Sequence, residues 1–377
     1  MKINKLIAKS IKDSRGSNTI EVSVNEEKVS APSGKSTGLY ETHPYKNSLD
    51  WNINTINSMK LDLELNSFED LKKIEDYLCK EFKLKDVKEF GANALFALEC
   101  ASLKALAKHK KIDLWQIINP TSKKIPVPVG NVIGGGLHSH TKNKPVFQEF
   151  LLIPQEGSIK NNFLKMKEIH SLLRSKLNLP NLNDEGALES DLDEESILNL
   201  LKNFDVPIGM DVAASSFYKN KNYIYNNSSK EREDQINFIN KLIKKYSLLY
   251  IEDPLEEEDF EGFSKIDRSE KNLVVGDDLT ATQISRLKKA IKEHSINAMI
   301  IKPNQNGSLI ELKEIFEICR INKIKTIISH RSGETLDNSI ADLAVGFQSD
   351  YIKSGIATKW RETKLLRLIE IEKEYKK

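Results

Sequence analysis

The chain is poor in cysteine: Cys79, Cys100 and Cys319 are the only three in 377 residues. They lie far apart and match no metal or redox spacing, and an odd number cannot complete a disulfide framework. That pattern fits a reducing compartment, and a cytoplasmic protein is expected. Long apolar runs are also missing. No stretch of about 18 apolar residues occurs, so no membrane-spanning helix and no membrane partner are expected. The first residues, MKINKLIAKSIKDSRG, carry charge but no apolar core and do not read as a signal peptide. Charge of one sign is absent too, since 57 Lys and Arg nearly cancel 55 Asp and Glu. No global field points to nucleic acid, so an anionic ligand must be held by a local arrangement of charge. A nucleotide P-loop is likewise missing. Gly-Lys-Ser at 34–36 resembles its end, but the required earlier glycine falls on Val29.

The length is too great for one average domain and suits a small domain plus a barrel-sized one. The grammar of the chain changes near residue 122, so the expected division is 1–121 and 122–377. The first part reads as mixed α+β. Alternation over 20–24, a turn at 25–27 and a return at 28–31 predict a hairpin. Ser67 and Asp70 frame a capping box before a helical pattern at Leu71, Ile74 and Leu78. A second helix opens at Gly91 and runs to about residue 109, apolar on most faces and therefore buried.

Beyond residue 122, short apolar runs each end in a polar residue, and helical patterns separate them. The runs end at Asn131, Asp211, Glu252, Asp277, Lys302, Ser329-His330 and Lys353. Intervening helices are predicted at 235–246, 284–294, 309–321 and 339–345. Buried parallel strands read as continuous apolar runs, and chemistry sits at their C-terminal ends. The expected fold is therefore α/β: a TIM-like β/α barrel preceded by a smaller α+β capping domain. A doubly wound open sheet is the alternative, but no Gly-rich phosphate turn follows these strands. Lys165 and Lys167 mimic a paired-lysine base, yet they fall in a helical stretch at 163–173 and read as a solvated face.

Asp211, Glu252 and Asp277 end three successive strands. Adjacent strands lie about 4.8 Å apart, so the three carboxylates would repel unless a cation bridges them. Oxygen ligands on a rigid frame suit Mg²⁺. The next strand ends are Lys302, then His330-Arg331-Ser332, then Lys353. One rim is thus acidic and the other basic, which suits a phosphorylated carboxylate bridged between a metal and a cationic group. Arg331 offers bidentate recognition of phosphate.

At this point the chain closely resembles the enolase family. The matching stretches are SRG (14–16), SGKSTG (33–38), GANA (91–94), Gly135-Gly136 with His138, FQEF (147–150) and DEG (184–186). They continue with IGMDVAAS (208–215), IEDPL (251–255), GDDLT (276–280), IKPNQ (301–305), SHRSGET (329–335) and IKSG (352–355), all in family order. The resemblance implies an enolase-type barrel and a reversible, Mg²⁺-dependent dehydration of 2-phosphoglycerate to phosphoenolpyruvate, a step of glycolysis and gluconeogenesis. It implies Lys302 as the base at carbon 2 and Glu185 as general acid, with Glu149 its paired carboxylate. It implies Asp211, Glu252 and Asp277 as ligands of one metal, and Ser36 as the residue completing a second, so two Mg²⁺ per site. Lys353 is to face the substrate carboxylate, Arg331 and Ser332 to bind phosphate, and His138 and His330 to line the pocket, His330 among the catalytic groups. Two nearby positive centres are expected to lower the pKa of Lys302. A homodimer or larger homo-oligomer is implied as well.

Several positions depart from the family's usual pattern. Asn183 and Ala187 flank the acid loop where glycine is usual, and Gly134 replaces a usual Asn. The segment 138–149 is longer and carries His140. Lys35 stands beside Ser36 where a small residue is usual. The stretch 39–51 lacks a common Arg-Asp-Gly run, and the segment after Lys353 is shorter near Arg361-Glu362. Two alternatives follow: a non-catalytic homologue kept as a binding partner, or a related dehydratase acting on another acid.

Overall fold

A computed structural model describes residues 1–35, 38–179, 181–269 and 271–375. The N-terminal part is a three-stranded antiparallel sheet, β1 (Leu6–Lys12), β2 (Asn18–Val24) and β3 (Glu27–Ser30). The predicted hairpin joins β2 to β3 through Asn25 and Glu26, both at positive φ (48° and 77°). Two positive-φ central residues match the right-handed twist of the strands. Helices α1 (Leu49–Ser58), α2 (Leu71–Phe82), α3 (Ala92–Lys110) and α4 (Leu114–Ile118) follow. The capping box at Ser67 and Asp70 forms as expected, opening the short turn before α2.

Helix α3 is buried on nearly every face. It packs on β2 and β3, and it also reaches the barrel, where Glu99 accepts from the Leu309 backbone N–H (2.7 Å) and Asn304 donates to Asn93 (2.9 Å). An apolar run without a polar stripe is what a helix lying between two layers needs.

The second part holds β4 (Val127–Gly134), β5 (Glu149–Leu152), α5 (Ile159–Lys176), β6 (Leu188–Glu189), α6 (Glu194–Leu201) and β7 (Ile208–Asp211). A small meander follows, β8 (Tyr218–Lys219), β9 (Asn222–Ile224) and β10 (Ser229–Lys230). Then come α7 (Arg232–Tyr246), β11 (Tyr250–Glu252), α8 (Phe260–Ser264), β12 (Leu273–Gly276), α9 (Ile284–Lys292), β13 (Ala298–Ile301) and α10 (Pro303–Asn306). The chain finishes with α11 (Leu309–Ile321), β14 (Lys325–Ser329), α12 (Ser339–Gly346), β15 (Tyr351–Lys353) and α13 (Lys359–Tyr375). The predicted helices become α7, α9, α11 and α12.

Strands β4, β5, β7, β11, β12, β13, β14 and β15 pair in that order, and β15 pairs back to β4. The sheet closes, which excludes the doubly wound alternative. One barrel strand lies outside the predicted runs: β5, which runs antiparallel to both β4 and β7. A single 3-10 turn (Gly136–His138) and a loop, with no α-helix, separate β4 from β5, so the chain returns directly and reverses direction. Glu149, at the start of β5, therefore reaches the same rim as residues at the ends of the other strands.

Strand parity aims the site. The barrel interior is filled by Val129, Leu151, Tyr250, Leu273, Val275, Ala298, Ile300 and Ile327, with Tyr351 against them. Side chains alternate along a strand. Continuing each strand by two residues gives Asn131, Glu149, Glu252, Asp277, Lys302, Ser329 and Lys353, all on the inner face. On β7 the same parity holds Gly209 and Asp211. A Cβ on Gly209 would lie 2.7 Å from the Tyr250 Cβ and 2.7 Å from its carbonyl oxygen, so glycine there makes room for the Tyr250 side chain below the carboxylates.

Candidate active site

The inner-facing rim surrounds a cavity of about 230 Å³. It is lined by His138, Glu149, Glu185, Asp211, Asp277, Lys302, His330, Arg331, Ser332 and Lys353. Glu252 is fully buried and sits behind this lining. Ser36, expected to complete a second metal site, lies outside the described residues.

Ladder register sets the acidic side. Glu149 pairs with Asp211, and Asp211 with Glu252, so three carboxylates stand in one row. The Lys353 ammonium lies 2.9 Å from an oxygen of each. Burial presses against the charged lysine, but Asp211, Glu149 and Glu252 together hold its pKa well above the ordinary range. Lys353 thus faces the carboxylates in this structure.

Lys302 Nζ lies 2.5 Å from Asp277 Oδ2. Burial works to lower its pKa, and Arg331 does the same, but Asp277 outweighs both and raises it. The expected lowering is therefore not met while Asp277 is its partner. Asp277 keeps its other oxygen buried without a hydrogen-bond partner. Beside it, the Asp253 carboxylate accepts the backbone N–H of Asp277 (2.9 Å) and of Asp278 (2.7 Å).

The donor set fits a divalent cation. Carboxylate oxygens of Asp253, Asp277 and Asp278 lie within 4.8 Å of one another, while Asp211 and Glu252 share the Lys353 ammonium and Asp277 holds that of Lys302. Burial, then Asp211, pushes Glu252 up to about 8. Burial, then Asp277, pushes Asp278 up to about 7. Buried carboxyls pushed up by neighbouring carboxylates suit a hard cation on oxygen ligands, which supplies the positive charge they lack.

Across the cavity, Glu185 and Glu149 form the second group. With His138 their ligand atoms all lie within 4.8 Å of one another. Burial, with Glu185 and Asp211 nearby, pushes the Glu149 carboxyl well above its usual range against the pull of Lys353. Burial acts on Glu185 too, opposed by His330, His138 and Arg361, which press that carboxyl down. Two buried carboxyls this close titrate as one pair that shares a proton. His330 Nδ1 accepts from Arg361 Nη1 (2.6 Å), and Nε2 faces Glu185 at 3.8 Å. Burial and Arg361 keep His330 neutral, so its proton is on Nε2.

Arg331 is fixed by Glu41 (2.8 Å), and Ser332 Oγ accepts the Lys35 backbone N–H (2.8 Å). The N-terminal part is tied to this loop by a pair of backbone bonds between Ser33 and Gly333 (2.7 and 2.8 Å). Lys35 itself points to the acid loop, 2.9 Å from Asp184. His140 faces the same Asp184 at 3.7 Å. Lys165 and Lys167 pair with Glu168 and Glu362 on the outer side of α5, as a solvated face would.

Besides Asp253 and Asp278, three groups were missed from sequence. Arg361 is fully buried and donates to the Arg331 carbonyl (2.5 Å) and the Ser332 carbonyl (2.7 Å) as well as to His330. Lys364 binds Glu334 (2.7 Å) and the Thr335 carbonyl (2.6 Å). Glu41 is the third. The signal for the first two was spacing: Arg361, Lys364, Leu365, Leu368 and Ile371 form one buried stripe on α13. Glu41 carried no such signal.

Fold and site together define a β/α barrel whose rim sets buried carboxylates that could hold a divalent metal beside acid–base groups. The chain matches the family model "Enolase, C-terminal TIM barrel domain" over residues 122–377 and "Enolase, N-terminal domain" over residues 3–118. It is 36% identical to the enolase of Methanocorpusculum labreanum over 99% of each chain, and 36% identical to that of Picrophilus torridus over 96% of each. The enolase of Methanosphaera stadtmanae is 35% identical over 96% of this chain and 94% of its own. The chain belongs to the enolase family, and with it to the carbon–oxygen lyases.

Proposed function

We propose that the chain catalyses the reversible dehydration of 2-phosphoglycerate to phosphoenolpyruvate, with Lys302 as base and Glu185 as general acid. One observation carries this reading: base, acid pair, carboxylate row and Arg331 all face one cavity. Mg²⁺ held by Asp211, Glu252 and Asp277 would supply the positive charge that offsets the second negative charge built on the substrate carboxylate. Asp277 cannot serve Lys302 and a cation through the same oxygen. A cation on the Asp277 carboxylate would offset the charge that now raises the Lys302 pKa, adding to burial and Arg331 in pressing it down toward what a base at neutral pH requires. Lys302 Nζ then takes the carbon-2 proton. The proton of the Glu149–Glu185 pair passes through Glu185 to the departing 3-hydroxyl. Arg331 and Ser332 hold the phosphate, which replaces Glu41 as the anion on Arg331. His138 and the neutral His330 line the acid side and exclude water.

The full set of groups on one rim supports turnover over a non-catalytic role. The Arg331-Ser332 loop supports a phosphorylated substrate over another acid. A domain boundary between residues 121 and 122, a homo-oligomer and a cytoplasmic location complete the reading; the three free cysteines support the last. The test is phosphoenolpyruvate absorbance during a Mg²⁺ titration of purified, folded protein with 2-phosphoglycerate. Metal-dependent turnover is expected, and none at any metal concentration refutes the reading.

A further inference from the structure

The loop carrying Glu185 is set by one short side chain. Asn183 Oδ1 accepts the backbone N–H of Glu185 (2.9 Å) and of Ala187 (3.0 Å). The same acceptor thereby fixes the backbone on both sides of the carboxylate. Backbone bonds from Asn183 N to Ala187 O (2.9 Å) and from Gly186 N to Asn183 O (3.0 Å) close the turn. His170 on α5 binds the Gly186 carbonyl at 3.0 Å from outside. Neither Asn183 nor Ala187 adopts positive φ; Gly186 does, at 83°. The turn therefore needs glycine at 186 and not at its ends.

With Oδ1 turned toward the loop, the amide Nδ2 must turn toward β4, and there it meets Gly134. A Cβ on Gly134 would lie 2.1 Å from Nδ2, 3.1 Å from Asn183 Cγ and 3.5 Å from the Ala187 Cβ. Nδ2 is buried and has no hydrogen-bond partner. No bond holds it against β4. The two bonds at Oδ1 fix the amide plane, and the space left by Gly134 admits the other end. Gly134 has no positive φ, so glycine is required there for room alone.

We propose that Asn183 is the positioning residue for Glu185 and that Gly134 is its steric condition, the two acting as one unit. This rests on the reading of Glu185 as the acid.

The test is a double-mutant cycle of Gly134→Ala, Asn183→Gly and the pair, with Glu185→Gln as reference. The readouts are dehydration kcat, KM, solvent exchange at carbon 2 and melting temperature. Each single variant is expected to lose about 10²-fold in dehydration, the scale of a misplaced group, with exchange and KM little changed. The pair is expected to be no worse than Asn183→Gly alone. Losses that multiply in the pair, or exchange falling in step with dehydration, overturn the proposal. Should Gly134→Ala fail to fold, Asn183→Gly decides alone: dehydration lost with exchange kept supports the proposal, and full activity overturns it. If Glu185→Gln loses exchange as fully as dehydration, the acid assignment falls and this inference with it. If Glu185→Gln behaves as an acid loss while Asn183→Gly is fully active, only this inference fails.

Discussion

The two sides of the cavity are built differently. On the base and metal side, Asp211, Glu252, Lys302 and Lys353 sit on or directly after barrel strands. Their directions follow from strand parity, and their neighbours follow from ladder register. On the acid side, Glu185 stands on a turn outside the ring. Asn183, His170 and the space at Gly134 hold it there. A strand position is shared with the whole barrel and tolerates local change. A turn position depends on a few side chains, and any of them can shift it.

The sharpest way to break this comparison is to remove a strand-borne group that has no substitute. Lys302→Ala is expected to cut both carbon-2 exchange and dehydration by about 10³-fold, the scale of a lost general base. Exchange by isotope incorporation and turnover by absorbance check it, and retained exchange would show a different base.

A smaller effect is expected where a helix supports a loop. Arg361→Met leaves the Arg331 and Ser332 carbonyls and His330 Nδ1 buried without their donor. A loss of about 3 kcal/mol is expected from charged-donor bonds of this kind, with a raised KM for the phosphorylated substrate. Denaturant unfolding and steady-state kinetics measure the two. If KM is unchanged, Arg361 supports the fold but not the phosphate loop.

The smallest effect concerns pH and the acid loop. Burial lowers the His170 pKa below its ordinary 6.5 despite the Gly186 carbonyl. The unfolded chain therefore takes up the proton first as pH falls. The stability this neutral histidine supplies is complete above about 6.5 and lost as pH drops toward its folded value. His170→Gln should be less stable than the parent near neutral pH, and the gap in melting temperature should narrow on acidification. A gap that widens would reverse the sign.

Legibility in the sequence follows the same division. The apolar runs ending in Asp211, Glu252, Asp277, Lys302 and Lys353 revealed strand ends because burial and parity act on local sequence. The antiparallel β5 was not legible, since a strand of four residues carries no local mark of which way its neighbours run. The Arg361 and Lys364 contacts join residues about 30 positions apart, and no local pattern reports such a pairing. The Lys302–Asp277 ion pair was hidden for a related reason: both residues were identified, but not that one would hold the other's pKa up. Asn183 and Gly134 each looked like an isolated departure, and only the distance between them gives the two a common cause.

Carbon-2 exchange in Glu185→Gln tests the division between the two sides most directly. The account predicts that exchange persists, because Lys302 and the carboxylate row are untouched, while dehydration falls by about 10²-fold or more. Equal loss of exchange and dehydration would contradict it, since the acid on the turn and the base on the strand would then not be separate groups.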